Sequence, residues 1–225
     1  MARQLVGVLG YVALFAAFLF IPAGTLHWRA AWILLAVLLV ARVLSVAQLW
    51  MVQRELAAER TKLPIQAGQV AADRPLLLAS MASFAALVAF ASADLWHLHL
   101  LPVLTPSARA IGLAMFALGW WVVYLALSAN AYAVTVVRFQ EERGHKVADG
   151  GLYRHVRHPM YAGLVLVMAG LCIWLGSTAA LIATLVPIAL LVVRIIFEER
   201  MLRARLTGYV EYAGRVRWRL LPWIW

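Results

Sequence analysis

Residues 110–137 read Ala110-Ile-Gly-Leu-Ala-Met-Phe-Ala-Leu-Gly-Trp-Trp-Val-Val-Tyr-Leu-Ala-Leu-Ser-Ala-Asn-Ala-Tyr-Ala-Val-Thr-Val-Val137, a run of 28 without a charge. Drawn as one helix at roughly 1.5 Å per residue, it extends about 42 Å, more than the ~30 Å hydrocarbon core of a bilayer. A span of that length has to tilt strongly or project into the cytosol, delivering Arg138 and Gln140 beyond the lipid. Five more runs repeat the pattern: 5–22, 30–52 (interrupted only by Arg42), 75–93, 159–175 and 177–193. Each is close to the ~20 residues that cross a bilayer, the last two being short. The runs predict an all-α fold, a polytopic membrane helix bundle of about six transmembrane helices in one membrane domain.

Composition agrees. The 225 residues are 65% hydrophobic and 13% charged, with a mean hydropathy of +0.85, where a soluble domain carries roughly 25% charged residues. The first run is read as a membrane helix and not a signal peptide: only Arg3 precedes it, it is long for such a segment, and no clean small-x-small cleavage site follows Pro22. The single cysteine, Cys172, lies in an apolar run, which leaves no disulfide framework and no cysteine-based zinc site.

A net charge of +10 invites nucleic acid as a partner, but placement argues against it. With six spans and both termini cytoplasmic, 17 of the 20 basic residues lie inside, only Arg29 and Arg109 lie outside, and Arg42 is within a span. That is the positive-inside distribution; it sets topology and suits contact with anionic membrane lipids.

The loop 53–74 alternates charge through Arg54, Glu55, Glu59, Arg60 and Lys62, which reads as an interfacial helix followed by a turn around Pro64 and Gly68. The last two spans form a hairpin at Gly176-Ser177-Thr178, and Pro187 should kink the second of them. That helix continues to about Arg205. A short interfacial amphipathic helix over 209–218 then places Tyr209, Tyr212 and Val216 on one face, with Trp218, Trp223 and Trp225 as interfacial anchors.

Chemistry concentrates in 150–163, where Arg154, His155, Arg157 and His158 immediately precede Pro159, a residue suited to the first turn of a helix. Polar groups gathered at the mouth of a membrane helix suggest a polar ligand. Arg194 and Glu198, four apart, share a helix face: they are either an intrahelical ion pair or a binding pair at the membrane boundary. The histidines are not spaced for zinc, and no metal partner is expected. Glu141-Glu142-Arg143 reads as a solvated charge run. No glycine-rich nucleotide loop of the usual soluble kinds occurs.

The order of these elements is itself informative. Gln140, then His145-Lys146-Val147-Ala148, Gly151-Leu152-Tyr153, Arg157-His158-Pro159-Met160-Tyr161 and Gly163 are followed one hairpin later by Arg194-x-x-x-Glu198-Glu199-x-x-Leu202 and Gly208-Tyr209-x-x-Tyr212. From about Arg138 to Pro222 this resembles the isoprenylcysteine carboxyl methyltransferase family and its phospholipid-methyltransferase-like relatives. The resemblance implies S-adenosylmethionine as cofactor, bound on the cytosolic side without a Rossmann domain. By position it makes Gln140, His145, Lys146, Val147, Ala148, Tyr153, His158, Pro159, Met160, Tyr161 and Glu198 cofactor contacts and Arg194 the residue nearest the acceptor. Residues 138–225 then form the cofactor-binding and catalytic part, and 1–137 the scaffold helices.

The implied reaction is methyl transfer to a lipophilic small molecule or lipid acceptor entering from the bilayer, at a site facing the cytoplasm of a bacterial inner membrane. A carboxylate, a lipid amine, a phenol or a thiol all remain open as acceptor. Sterol-reductase-like membrane enzymes share a similar Arg-His-Pro-x-Tyr-x-Gly stretch and bind NADPH, but Met160 and Leu164 stand where those carry Asn and an acidic residue. A non-catalytic carrier or assembly factor is the third reading.

Overall fold

A computed structural model describes residues 2–52, 65–66 and 68–225. The expected interfacial helix around 54–62 lies outside the described residues. Eight α-helices are described: α1 (Ala2–Ala23), α2 (Arg29–Val52), α3 (Asp73–Ala93, running on as a π turn over Asp94–Leu98), α4 (Pro106–Ala129), α5 (Pro159–Leu175), α6 (Thr178–Ala183), α7 (Leu185–Arg205) and α8 (Tyr209–Arg215). No strand occurs among the described residues. Five segments are long and apolar enough to cross a membrane, with α6 and α7 counted together. The sixth, α5, has 17 residues and is about 26 Å long.

The longest uncharged run does not form one long span. Thr105 caps α4 by accepting a hydrogen bond from the Ala108 amide (3.3 Å), Pro106 fills its first turn, and the helix ends at Ala129 with Asn130 extended. Residues 131–137 continue as irregular chain, so α4 covers about 36 Å and the excess length becomes a wall of the site. Pro187 acts where expected. It lacks the N–H that would bond to the Ala183 carbonyl and crowds that turn, and the helix breaks at Thr184 between α6 and α7. The hairpin turns at Gly176, whose φ of 101° is open to glycine, and Ser177 caps α6 through the Ala180 amide at 2.9 Å.

The shared core runs through α1 to α7, with Leu19, Leu34, Leu38, Phe116, Leu171 and Ile195 fully buried, while α8 packs in a smaller cluster with Leu202 and Leu206. Helices α4 and α5 approach backbone to backbone. A Cβ on Gly119 would lie 2.7 Å from the Gly163 carbonyl oxygen, and one on Gly170 would lie 2.4 Å from the Phe116 nitrogen. Small residues on both helices permit that approach, as is common where membrane helices pack. The consequence is positional: the long segment 130–158 leaves α4 and returns to α5 at one end of a rigid helix pair.

Candidate active site

At that end the segment 130–158, α5, α7 and α8 line a cavity that opens to solvent, with about 780 Å³ of empty space when the open mouth is included. Its lining includes His145, Lys146, Val147, Ala148, Tyr153, His158, Met160, Tyr161, Arg194 and Glu198, ten of the twelve residues singled out from the sequence. The other two are nearby but do not line it. Pro159 is buried at the start of α5. Gln140 is 1% exposed; its amide donates to the Tyr132 carbonyl (2.7 Å) and accepts from Arg143 Nη1 (2.5 Å). Arg143, expected to be solvated, is thus tied into the loop, and its Nη2 also donates to the Ala131 carbonyl at 3.0 Å.

Arg194 and Glu198 do not pair with each other. Arg194 Nε donates to Asp73 Oδ1 at 2.8 Å, and its Nη2 donates to the Thr135 carbonyl at 2.5 Å. Glu198 Oε2 accepts from the Tyr161 hydroxyl at 2.7 Å, and the Arg194 guanidinium lies 5.9 Å from the Tyr161 ring centroid. Tyr161 therefore stands between the cation and the carboxylate. Asp73, completely buried, also accepts from Gln69 Nε2 and from the Val137 amide, both at 2.8 Å. One carboxylate thus fixes the start of α3, the segment after α4, and α7.

The neighbouring Glu199 is 3% exposed and serves a different purpose. It accepts from Arg157 Nε (2.7 Å) and Arg219 Nε (3.2 Å) and pairs with His158 Nε2 (3.2 Å). Arg157 also donates to the carbonyls of Val216 (2.7 Å) and Arg217 (2.9 Å), while the amides of Arg157 and His158 donate to those of Trp218 and Arg219 (2.9 Å each). A buried carboxylate with several donors is paired and hydrogen-bonded as burial requires. The result is a clamp joining the start of α5, α7 and the segment 216–219. His158 is held inside it, 5% exposed, facing the cavity and not reaching outward.

His145 stacks between Tyr132 (4.5 Å between centroids) and Phe139 (5.5 Å), and its Nδ1 accepts from the Gln140 amide at 3.4 Å. Burial, reinforced by Arg143 and Arg138, pushes its pKa down to about 4, so the imidazole is neutral at neutral pH. Tyr209 and Tyr212 of α8 turn into the cavity, and burial raises both hydroxyl pKa values. Tyr212 donates to the Tyr153 carbonyl at 2.8 Å, whereas the buried Tyr209 hydroxyl has no hydrogen-bond partner among the described residues. Helix α8 is shorter than expected, ending at Arg215.

Sequence reasoning did not assign Asp73, Asn130, Tyr132 or Glu199 to the site. Asn130 and Tyr132 sit in the apolar run, where nothing marks them. Asp73 lies 121 positions from its partner, a pairing that only the fold reveals.

Residues 107–206 match the family model for phospholipid methyltransferase. The chain is also 34% identical over 109 residues to proteins of Oryza sativa, subspecies indica and japonica, each named a probable protein-S-isoprenylcysteine O-methyltransferase. It is 32% identical over 108 residues to protein-S-isoprenylcysteine O-methyltransferase B of Arabidopsis thaliana. These alignments cover 47% of this chain and 55–57% of the plant proteins, so the chain spans a little over half the length of those relatives. The resemblance read from the motif order is the one these comparisons return, and every one of them names a methyltransferase. The matched segment contains α4, the loop, α5 and α7, the elements that carry most of the cavity.

Proposed function

We propose that the chain is an integral membrane methyltransferase using S-adenosylmethionine to methylate a hydrophobic, membrane-dissolved acceptor through a carboxylate or similar oxygen group. The observation that carries this reading is Glu198, a carboxylate facing the cavity whose hydrogen bond comes from a neutral phenol and which forms no ion pair among the described residues. An uncompensated negative charge beside aromatic walls suits a cationic ligand bearing a planar base. The Tyr209 hydroxyl, without a hydrogen-bond partner among the described residues, offers that ligand a further hydrogen bond, and Lys146 at the rim suits a carboxylate.

When bound, S-adenosylmethionine supplies a methyl group already activated by its sulfonium centre. The protein's share is then orientation and charge matching. Arg194, held side-on by Asp73 and Thr135, orients the acceptor oxyanion; Glu198 and the loop residues His145–Ala148, Tyr153, His158, Met160 and Tyr161 hold the cofactor. Gln140 and Pro159 act as positioning residues, one shaping the loop and the other starting α5. A carboxylate acceptor is ionised near neutral pH and needs no base. The excess of basic residues on the loop side supports a site facing the cytoplasm.

Calorimetric titration of detergent-purified protein with S-adenosylmethionine and with NADPH tests the assignment. Saturable binding of the first alone is expected. Glu198→Ala should abolish that binding, and Arg194→Ala should keep it while eliminating turnover. Preferential NADPH binding, or full turnover by either variant, would overturn the reading.

A further inference from the structure

Arg42 is a cation that methyl transfer leaves unused. On α2 the buried stripe runs through Ala31, Leu34 and Leu38, each 0% exposed, and Arg42 is the next residue on that face. It therefore points toward the bundle and is half-buried. Its guanidinium lies 4.8 Å from the centroid of the Tyr11 ring of α1, yet it makes no ion pair or hydrogen bond among the described residues, and its Nε is buried. The carboxylates in the described spans are committed elsewhere: Asp73 to Arg194, Asp94 to Ser177, Glu198 to Tyr161 and Glu199 to Arg157.

A second orphan donor lies at the same depth. Helices α2 and α4 run parallel, and Gln48 of one hydrogen-bonds Ser128 of the other, a numbering offset of 80. The other end keeps the same register: Trp174 Nε1 donates to the Ala30 carbonyl (2.7 Å), and the Trp174 backbone lies against Gly112. That offset puts Arg42 level with residue 122, about 3 Å along the axis from Trp120. Trp120 packs against the core, and its Nε1 is buried without a hydrogen-bond partner among the described residues. Two buried donors at one level, one of them charged and neither with an acceptor among the described residues, match a ligand that brings only acceptors. The neighbouring Val40, Val43 and Leu44 are exposed, so the lipid phase borders the site.

We propose that Arg42, with Trp120 at its level and Tyr11 against its guanidinium, forms an intramembrane subsite for the oxyanion of a bilayer amphiphile, a carboxylate or a phosphate. The subsite does not depend on the methyl-transfer reading. Two probes separate the sources of that chemistry: oleate, a single-chain carboxylate, and dioleoyl phosphatidylglycerol, a phosphate, with dioleoyl phosphatidylcholine as the zwitterionic reference. Retention of each on the purified full chain in nonionic detergent is read by native mass spectrometry. The wild type should retain at least one anionic probe tenfold or more over phosphatidylcholine, and which one it prefers identifies the oxyanion. Arg42→Gln should reduce that preference to less than twofold, and Trp120→Phe should weaken it about threefold. Both variants should keep wild-type affinity for S-adenosylmethionine, so loss of cofactor binding in the wild type reports on the other proposal alone. Absence of any anionic preference in the wild type, or its persistence in Arg42→Gln, overturns the subsite.

Discussion

Asp73 accepts three hydrogen bonds of 2.8 Å from three parts of the chain, and one of those donors is the Arg194 guanidinium. Removing one member of a buried pair leaves the other charge uncompensated, at a cost of about 3–5 kcal/mol, whereas replacing both with apolar groups costs much less. Asp73→Ala should therefore lower stability by that order in denaturant unfolding in detergent. The double variant Asp73→Ala/Arg194→Met should regain part of the loss without regaining turnover; equal stability of the two would show that the pair is not coupled. His145 adds a pH signature. Its folded pKa of about 4 lies below the ordinary ~6.5, so on acidification the unfolded chain takes up a proton before the folded one does. The term is absent above about 6.5, and stability is lost as pH falls from there towards 4. The drop in melting temperature between pH 7 and pH 5 should be smaller in His145→Phe than in the wild type.

Among the elements, α4 and α5 form the pair on which the loop depends. Gly112 and Gly119 face Gly170 and Gly163 at main-chain distance, so any side chain there meets backbone and, at three of the four, the stiff β-branched side chains of Ile173, Val167 and Val123. Gly119→Leu should cost at least the ~1–3 kcal/mol of core overpacking and weaken cofactor binding, because the helices that carry both ends of the loop must separate. Gly10→Ala is the contrasting substitution: a Cβ there meets nothing within 4 Å, and a modest gain of about 0.5–1 kcal/mol is expected. Thermal unfolding of both variants checks the pair, and a neutral Gly119→Leu would contradict the packing. The glycines also mark the limit of sequence reading at this scale. Their seven-residue spacing was visible on each helix, but which helices would meet was not.

For the molecule as a whole, the spans were legible because charge is so scarce that each charged residue punctuates the chain. The loop was legible because polar residues cluster there in a recognisable order. Asp73 and Glu199 were not, because a pairing across the fold leaves no trace in local spacing. The end of α4 was also missed: apolarity alone cannot distinguish helix from irregular chain, and the clue was the β-branched cluster Val134-Thr135-Val136-Val137, which is poorly suited to a helix.

That short non-helical stretch contributes peptide groups. The Tyr132 carbonyl serves Gln140, the Thr135 carbonyl serves Arg194, and the Val137 amide and carbonyl serve Asp73 and the Val70 amide. Main-chain groups are present whatever the side chain, so this wall of the site can drift in amino-acid identity while its bonding pattern persists. Proline at position 137 is the exception, since it would remove an N–H already in use.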